Sequence, residues 1–135
     1  MGFIDHQIVL PDTLIVINNG AVEKQKSELK KPTLILYNDS TSCNACRISH
    51  LFEYENLFDL SIESGAFDVM IIFSPLYEEL DMLIRDLALS GFTSHIYVDG
   101  FHTFSKLNAH IPSDKRFHSF LVDEFGTPLF VGVPI

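Results

Sequence analysis

The sequence has 135 residues, of which 47% are hydrophobic and 20% charged, a length usual for one domain and an apolar content too high for a mainly disordered chain. Nine Lys and Arg against eighteen Asp and Glu leave a net charge of −9, which repels phosphate backbones and anionic lipid and argues against nucleic-acid and membrane-surface partners. No apolar run approaches the roughly 18–20 residues that span a bilayer, and nothing at the N-terminus reads as a signal peptide.

In chain order, Gln7 to Ile17 is rich in β-branched and Leu residues interrupted by Pro11-Asp12, which predicts two short strands, or one strand after a turn. Asn18-Asn19-Gly20 is a turn signal, and the polar, lysine-rich stretch from Ala21 to Lys31 reads as a solvated loop or weak helical turn. Pro32 sets off Thr33 to Tyr37, a short apolar run of the kind found in strands covered on both faces. Capping residues follow at 38–42, and Cys46, Leu51, Tyr54, Leu57, Phe58 and Ile62 then fall along one stripe of a predicted helix that ends at Gly65. Phe67 to Phe73 is a second buried strand, and Leu76 to Leu89 a helix with Leu76, Leu80, Leu83, Ile84 and Leu87 on one face. A short strand, His95 to Val98, and a short helix, Phe101 to Asn108, precede two runs, Phe117 to Asp123 and Pro128 to Val133, which flank a Gly-containing turn and predict a hairpin. The order implies a mixed α/β sheet, with parallel strands joined by helices and an antiparallel hairpin at one edge.

The only cysteines are Cys43 and Cys46, in Ser42-Cys43-Asn44-Ala45-Cys46-Arg47. Two are too few for a disulfide scaffold and only half of a four-cysteine zinc site. They sit between a predicted buried strand and a predicted helix. Unpaired N–H groups of a first helical turn favour the thiolate of Cys43. Cys46, one turn on, is within reach of a disulfide, so Cys43 would attack a partner's disulfide and Cys46 would resolve the mixed intermediate. A structural disulfide, or a metal site that adds His50, remains open on spacing alone.

On these residues the sequence resembles the thioredoxin-like superfamily, in particular its bacterial cell-envelope thiol–disulfide oxidoreductase branch. The resemblance runs from about Leu10 onward. Its strongest points are Leu34 to Arg47 and Phe120-Leu121-Val122-Asp123-Glu124-Phe125-Gly126, which is similar to the family's hairpin segment. It implies one thioredoxin-like domain over 1–135: an N-terminal β-extension (1–31), a core (32–135) with an inserted strand and helix after the second parallel strand, and a C-terminal hairpin. It also implies exchange with protein thiols and disulfides, no bound cofactor because the dithiol carries the electrons, and a cell-envelope location behind a leader not in this sequence.

Two departures stand out. The family's cis-proline facing the cysteines is replaced by Phe117, where a cis bond would cost roughly 3 kcal/mol and a trans loop is expected. The family's final helix has no counterpart before Ile135, so the expectation is either a truncated natural variant or another segment or subunit that covers that sheet face, which makes an oligomer possible. Loss of the proline also raises a rival reading: a non-catalytic binding module that keeps a structural disulfide. A small zinc-binding domain is the third.

Four residues are candidates for tuning the cysteines: Asp39 as a proton acceptor or merely a turn residue, Arg47 as a thiolate-favouring charge, Phe117, and His118 beside it. The acidic residues of the two main helices read as solvent faces. His95, His102 and His110 would form a metal patch only if the fold brings them together, since they lack the spacing of a helical metal site. The phenylalanines of the second half, including Phe101, Phe104, Phe120, Phe125 and Phe130, are expected to pack in the core and hairpin. No phosphate-binding glycine loop or Ser-His-Asp pattern is present.

Overall fold

The structure, a computed structural model, describes residues 7–40, 44–111 and 118–131. One strand, β1 (Thr13–Asn18), forms in the opening stretch, and Ile8 before it is buried. Asn19 and Gly20 both have positive φ (50° and 84°), the pair of conformations that a two-residue hairpin turn with right-handed strand twist requires. The polar stretch beyond is therefore a strand, β2 (Ala21–Lys26), paired with β1 over six residues, and not the expected loop. It lacks apolar alternation because it is an edge strand with almost every side chain in solvent, so burial leaves no mark on its sequence.

β3 (Thr33–Asn38) is buried from Thr33 to Tyr37, as its continuous apolar run predicts. The expected long helix after it is instead broken into α1 (Asn44–Ser49), a 3-10 turn (Leu51–Tyr54) and α2 (Glu55–Ser64). Ser49 Oγ donates to the Cys46 carbonyl at 2.8 Å at the break, and the change of phase turns Leu51 and Phe58 into the core. Ile62, placed on the buried stripe by periodicity, is 78% exposed, and Cys46 is exposed as well. Gly65 closes α2 in the left-handed conformation (φ 63°), and its N–H donates to the Ser61 carbonyl.

β4 (Asp68–Phe73) follows, then a 3-10 turn (Tyr77–Glu79) leading into α3 (Leu80–Ala88), which buries Leu83 and Leu87. Leu76, expected on that face, is exposed because the helix begins later. β5 (Ile96–Val98), α4 (Thr103–Leu107), β6 (Ser119–Val122) and β7 (Pro128–Val131) complete the described elements.

All seven strands join one mixed sheet in the order β2-β1-β5-β4-β3-β6-β7, with β3, β4 and β5 parallel and the other pairings antiparallel. This is the expected α/β architecture with N-terminal β-extension, inserted strand–helix and C-terminal hairpin. Period-two alternation divides the core into two layers. Leu34, Leu36, Ile71 and Phe73 meet Phe58 of α2 and Leu83 and Leu87 of α3 on one face. Ile35, Tyr37, Met70 and Ile72 meet Ile8, Phe104 and Phe120 on the other.

At the β6–β7 turn, Gly126 (φ 85°) accepts from the Ile8 N–H at 2.7 Å. A Cβ there would run into the Ile8 carbonyl oxygen, so glycine lets the N-terminal segment lie against the hairpin. Of the phenylalanines expected in the core, Phe104 and Phe120 are fully buried, while Phe101, Phe125 and Phe130 are exposed. Composition alone does not separate the two groups. No helix among the described residues is long and apolar enough to cross a membrane.

Candidate functional site

Because β3, β4 and β5 run parallel, their carboxyl ends lie along one edge of the sheet. Backbone bonds join them there: Ser74 N–H donates to Asn38 O and Asp99 N–H to Phe73 O, each at 2.8 Å. Chain segments leaving such an edge carry side chains into a common crevice.

Asp99, 3% exposed, organises the β5 end. Its carboxylate accepts from the Thr103 N–H (3.0 Å), the Phe104 N–H (2.7 Å) and Ser74 Oγ (3.2 Å), capping α4 and binding it to the β4 end. The turn between them puts His102 in the left-handed region (φ 58°), with its Nε2 2.5 Å from the Pro75 carbonyl oxygen. α4 is thereby held over the end of β3, where Phe104 packs on Tyr37 with ring centroids 4.9 Å apart. Asn108, just beyond α4, exchanges hydrogen bonds with both Val9 N–H and Val9 O at 2.7 Å, securing the N-terminal segment to the same layer.

Burial pushes the Tyr37 hydroxyl above the ordinary tyrosine value; the carboxylates of Asp39 and Asp99 act the same way, and hydrogen bonds with Ser74 and Ser105 oppose them. Tyr97 is raised by burial as well. A phenol held neutral in the fold ionises more readily once unfolded. Its stabilisation is therefore present in full below about pH 10 and lost as pH climbs from there through the raised value. Denaturant midpoints should fall on going from about pH 9 to about pH 11, and Tyr37→Phe should make that fall shallower. An unchanged slope in the variant would rule out Tyr37 as a source of it.

The candidate tuning residues Asp39, Arg47 and His118 come together around the β3 end. His118, 5% exposed, precedes β6, and its carbonyl accepts from the Tyr37 N–H at 2.8 Å. Its ring lies 5.1 Å from that of Tyr37, and its Nδ1 is 4.0 Å from Asp39 Oδ2. A cleft of about 220 Å³ is lined by Tyr37, Asp39, Ser40, His102 and His118 among others. A smaller one of about 50 Å³ is lined by Arg47, Tyr54 and His118 with the last residues of β3. Cys46 is exposed in the first turn of α1, next to Arg47. Cys43 and Phe117 lie outside the described residues. His50 is remote from these clefts in its contacts: its Nδ1 is 2.5 Å from Glu53 Oε2 on the exposed helical surface. Among the described residues no group of three or more His, Cys, Asp and Glu is arranged to hold a metal ion.

Tyr37, Ser74 and Asp99 belong to this edge and were not singled out by sequence, and His102, also here, was weighed only as one of three scattered histidines. Tyr37 reads as one more apolar strand residue, and Asp99 as a turn residue. A signal did exist: an Asp four residues before a helix start, directly after a buried strand, has the makings of a cap.

No family model and no curated protein matches the chain by sequence. Solved structures do match in fold. AhpC from Enterococcus faecalis aligns over all of this chain and 84% of its own, with a TM-score of 0.59 at 11% identity. An uncharacterized conserved protein from Geobacillus kaustophilus aligns over 95% of this chain and 67% of its own, at 0.62 and 14%. A thiol-disulfide oxidoreductase from Bacteroides fragilis NCTC 9343 aligns over 96% and 92%, at 0.58 and 13%. At such identities the likeness establishes the fold.

Proposed function

We propose that this chain, thioredoxin-like in fold, is a thiol–disulfide oxidoreductase that exchanges electrons with protein thiols and disulfides through Cys43 and Cys46. The observation that carries the reading is positional. The C-x-x-C segment joins the carboxyl end of the buried strand β3 to α1, where the parallel strands end together and Asp39, Arg47 and His118 converge. Cys43 is the attacking thiolate and Cys46 the resolving thiol. The sulfur of Cys43 bonds to one sulfur of the partner's disulfide, whose other sulfur leaves as a thiolate. Cys46 then displaces the first partner sulfur, and the Cys43–Cys46 bond forms as the partner is reduced. The reverse sequence oxidises a partner dithiol. The dithiol carries both electrons, so the reaction requires no further cofactor. A cell-envelope location rests on the sequence resemblance of Leu34 to Arg47 and the hairpin.

The test is the reduction potential of the pair. The protein is equilibrated in glutathione buffers, its thiols are trapped at low pH, and the labels are counted by mass. A midpoint between roughly −270 and −120 mV, with one thiol trapped fast near neutral pH, is expected of an exchange site and assigns reductant or oxidant. A midpoint below about −300 mV with slow trapping marks a structural disulfide and returns the chain to the binding-module reading.

A further inference from the structure

We propose that an exposed aromatic platform, formed by Tyr77 and Phe101 at the carboxyl ends of β4 and β5, docks an extended stretch of the partner polypeptide in which apolar residues have basic neighbours. The inference rests on the exchange reading above and names the class of partner that such exchange would serve.

Two loops build the platform. One leaves the carboxyl end of β4 and carries Leu76 and Tyr77, and the other leaves the end of β5 and carries Phe101. They meet twice: His102 Nε2 lies 2.5 Å from the Pro75 carbonyl oxygen, and a Cβ added to Gly100 would come within 3.2 Å of Leu80 Cδ2. The three hydrogen bonds accepted by the buried Asp99 carboxylate anchor the second loop. His102 holds the left-handed conformation that a residue other than glycine adopts only at a cost. The backbone is thus fixed on both sides of Phe101, yet that side chain is 69% exposed, Tyr77 is 75% exposed, and Leu76 is exposed as well. Large apolar side chains gathered on a rigid surface mark a contact site. α3 begins at Leu80 and lies beside α1, the helix that carries Cys46, so the platform shares the edge at which the C-x-x-C segment leaves β3.

Size and charge select the occupant. The cleft next to Phe101, walled by Pro11, Leu14, Ile15, Val98 and Thr103, has a volume of about 220 Å³. Small-molecule pockets start at roughly 300 Å³, so this one suits a single side chain of a polypeptide lying across the surface. Asp12 and Lys24, which also line it, offset one another in charge. Glu78, Glu79 and Asp81 border the platform beyond Tyr77, exposed and without a cationic partner among the described residues. Their surplus negative charge, on a chain of net charge −9, attracts lysine and arginine beside the docked apolar residues. The same charge opposes a second copy of this chain as the occupant.

The probe is a short fluorescein-labelled peptide without cysteine, with Phe and Leu set among lysines, and its binding to the oxidised protein is followed by anisotropy. Tyr77→Ser and Phe101→Ser alter solvent-exposed side chains and should each weaken binding at least about fivefold. Leu89→Ser, at an equally exposed apolar position at the far end of α3, should stay within about twofold of wild type. Replacing the lysines of the probe by glutamates should weaken binding as well. Undiminished binding in either platform variant, an equal loss in Leu89→Ser, or tighter binding of the glutamate peptide overturns the proposal. So does a wild type that fails to bind the probe, including one that self-associates and is dispersed by Phe101→Ser, which assigns the platform to a second copy. A disulfide-bearing version of the peptide then separates docking from chemistry. The platform variants should raise its KM without lowering kcat, and should reduce glutathione disulfide at the wild-type rate. Equal losses with both substrates overturn docking, whereas a wild type that binds the probe but reduces neither substrate removes only the exchange reading.

Discussion

Asp99→Ala is expected to lower the free energy of unfolding by roughly 3–5 kcal/mol, near the top of the range for single substitutions. The carboxylate accepts three hydrogen bonds, from Ser74 Oγ and from the N–H groups of Thr103 and Phe104, within a site 3% exposed. Removing it leaves buried donors without their protein acceptor, and each such donor costs about 1–3 kcal/mol. The loss spreads from there. α4 has only five residues and owes its existence to that cap and to the burial of Phe104. Asp99→Asn keeps one carbonyl oxygen as acceptor, so its cost should be about half as large. Urea unfolding of the three proteins measures this. A midpoint for Asp99→Ala within about 1 kcal/mol of wild type would mean that the α4 segment is held by apolar contacts alone. Because His102 and Ser105 reach the β3 cleft through α4, the variant should also disturb the candidate site before it unfolds.

The strands with both faces covered were the most legible part of the sequence. β3 and β4 are continuous apolar runs because helices cover one face and the Phe104–Phe120 layer the other. β2 was illegible for the converse reason: a strand with no buried face has no period, and only Asn19-Gly20 betrays its hairpin. The helix break at Ser49 to Leu51 escaped because periodicity extends across a short 3-10 turn with a shift of phase too small to register in so few residues. At the site, the C-x-x-C spacing was visible because its chemistry is local. The approach of His118 to Asp39 was not, since 79 positions separate them and β6 must first pair with β3. Phe117 and Cys43 are read from sequence alone.

The largest functional effect is expected at the cysteines themselves. Cys43→Ser should lower the rate of protein-disulfide reduction by about 10³-fold or more, as loss of a catalytic nucleophile does elsewhere. Cys46→Ser should behave differently. Cys43 remains able to attack, but the mixed disulfide cannot be resolved internally, so the partner stays covalently bound and turnover stops after one event. Mass measurement after a chase with partner disulfide separates the two: no adduct with Cys43→Ser, a stable one-to-one adduct with Cys46→Ser. The asymmetry matters more than the loss. A structural disulfide gives no stable partner adduct with either variant, and its removal appears as a fall in unfolding free energy of about 2–5 kcal/mol. A zinc site using His50 loses bound metal with both variants and with His50→Ala alike, although His50 contacts Glu53 rather than the clefts around β3. Adducts with Cys46→Ser alone therefore identify Cys43 as the attacking sulfur and exchange as the chemistry.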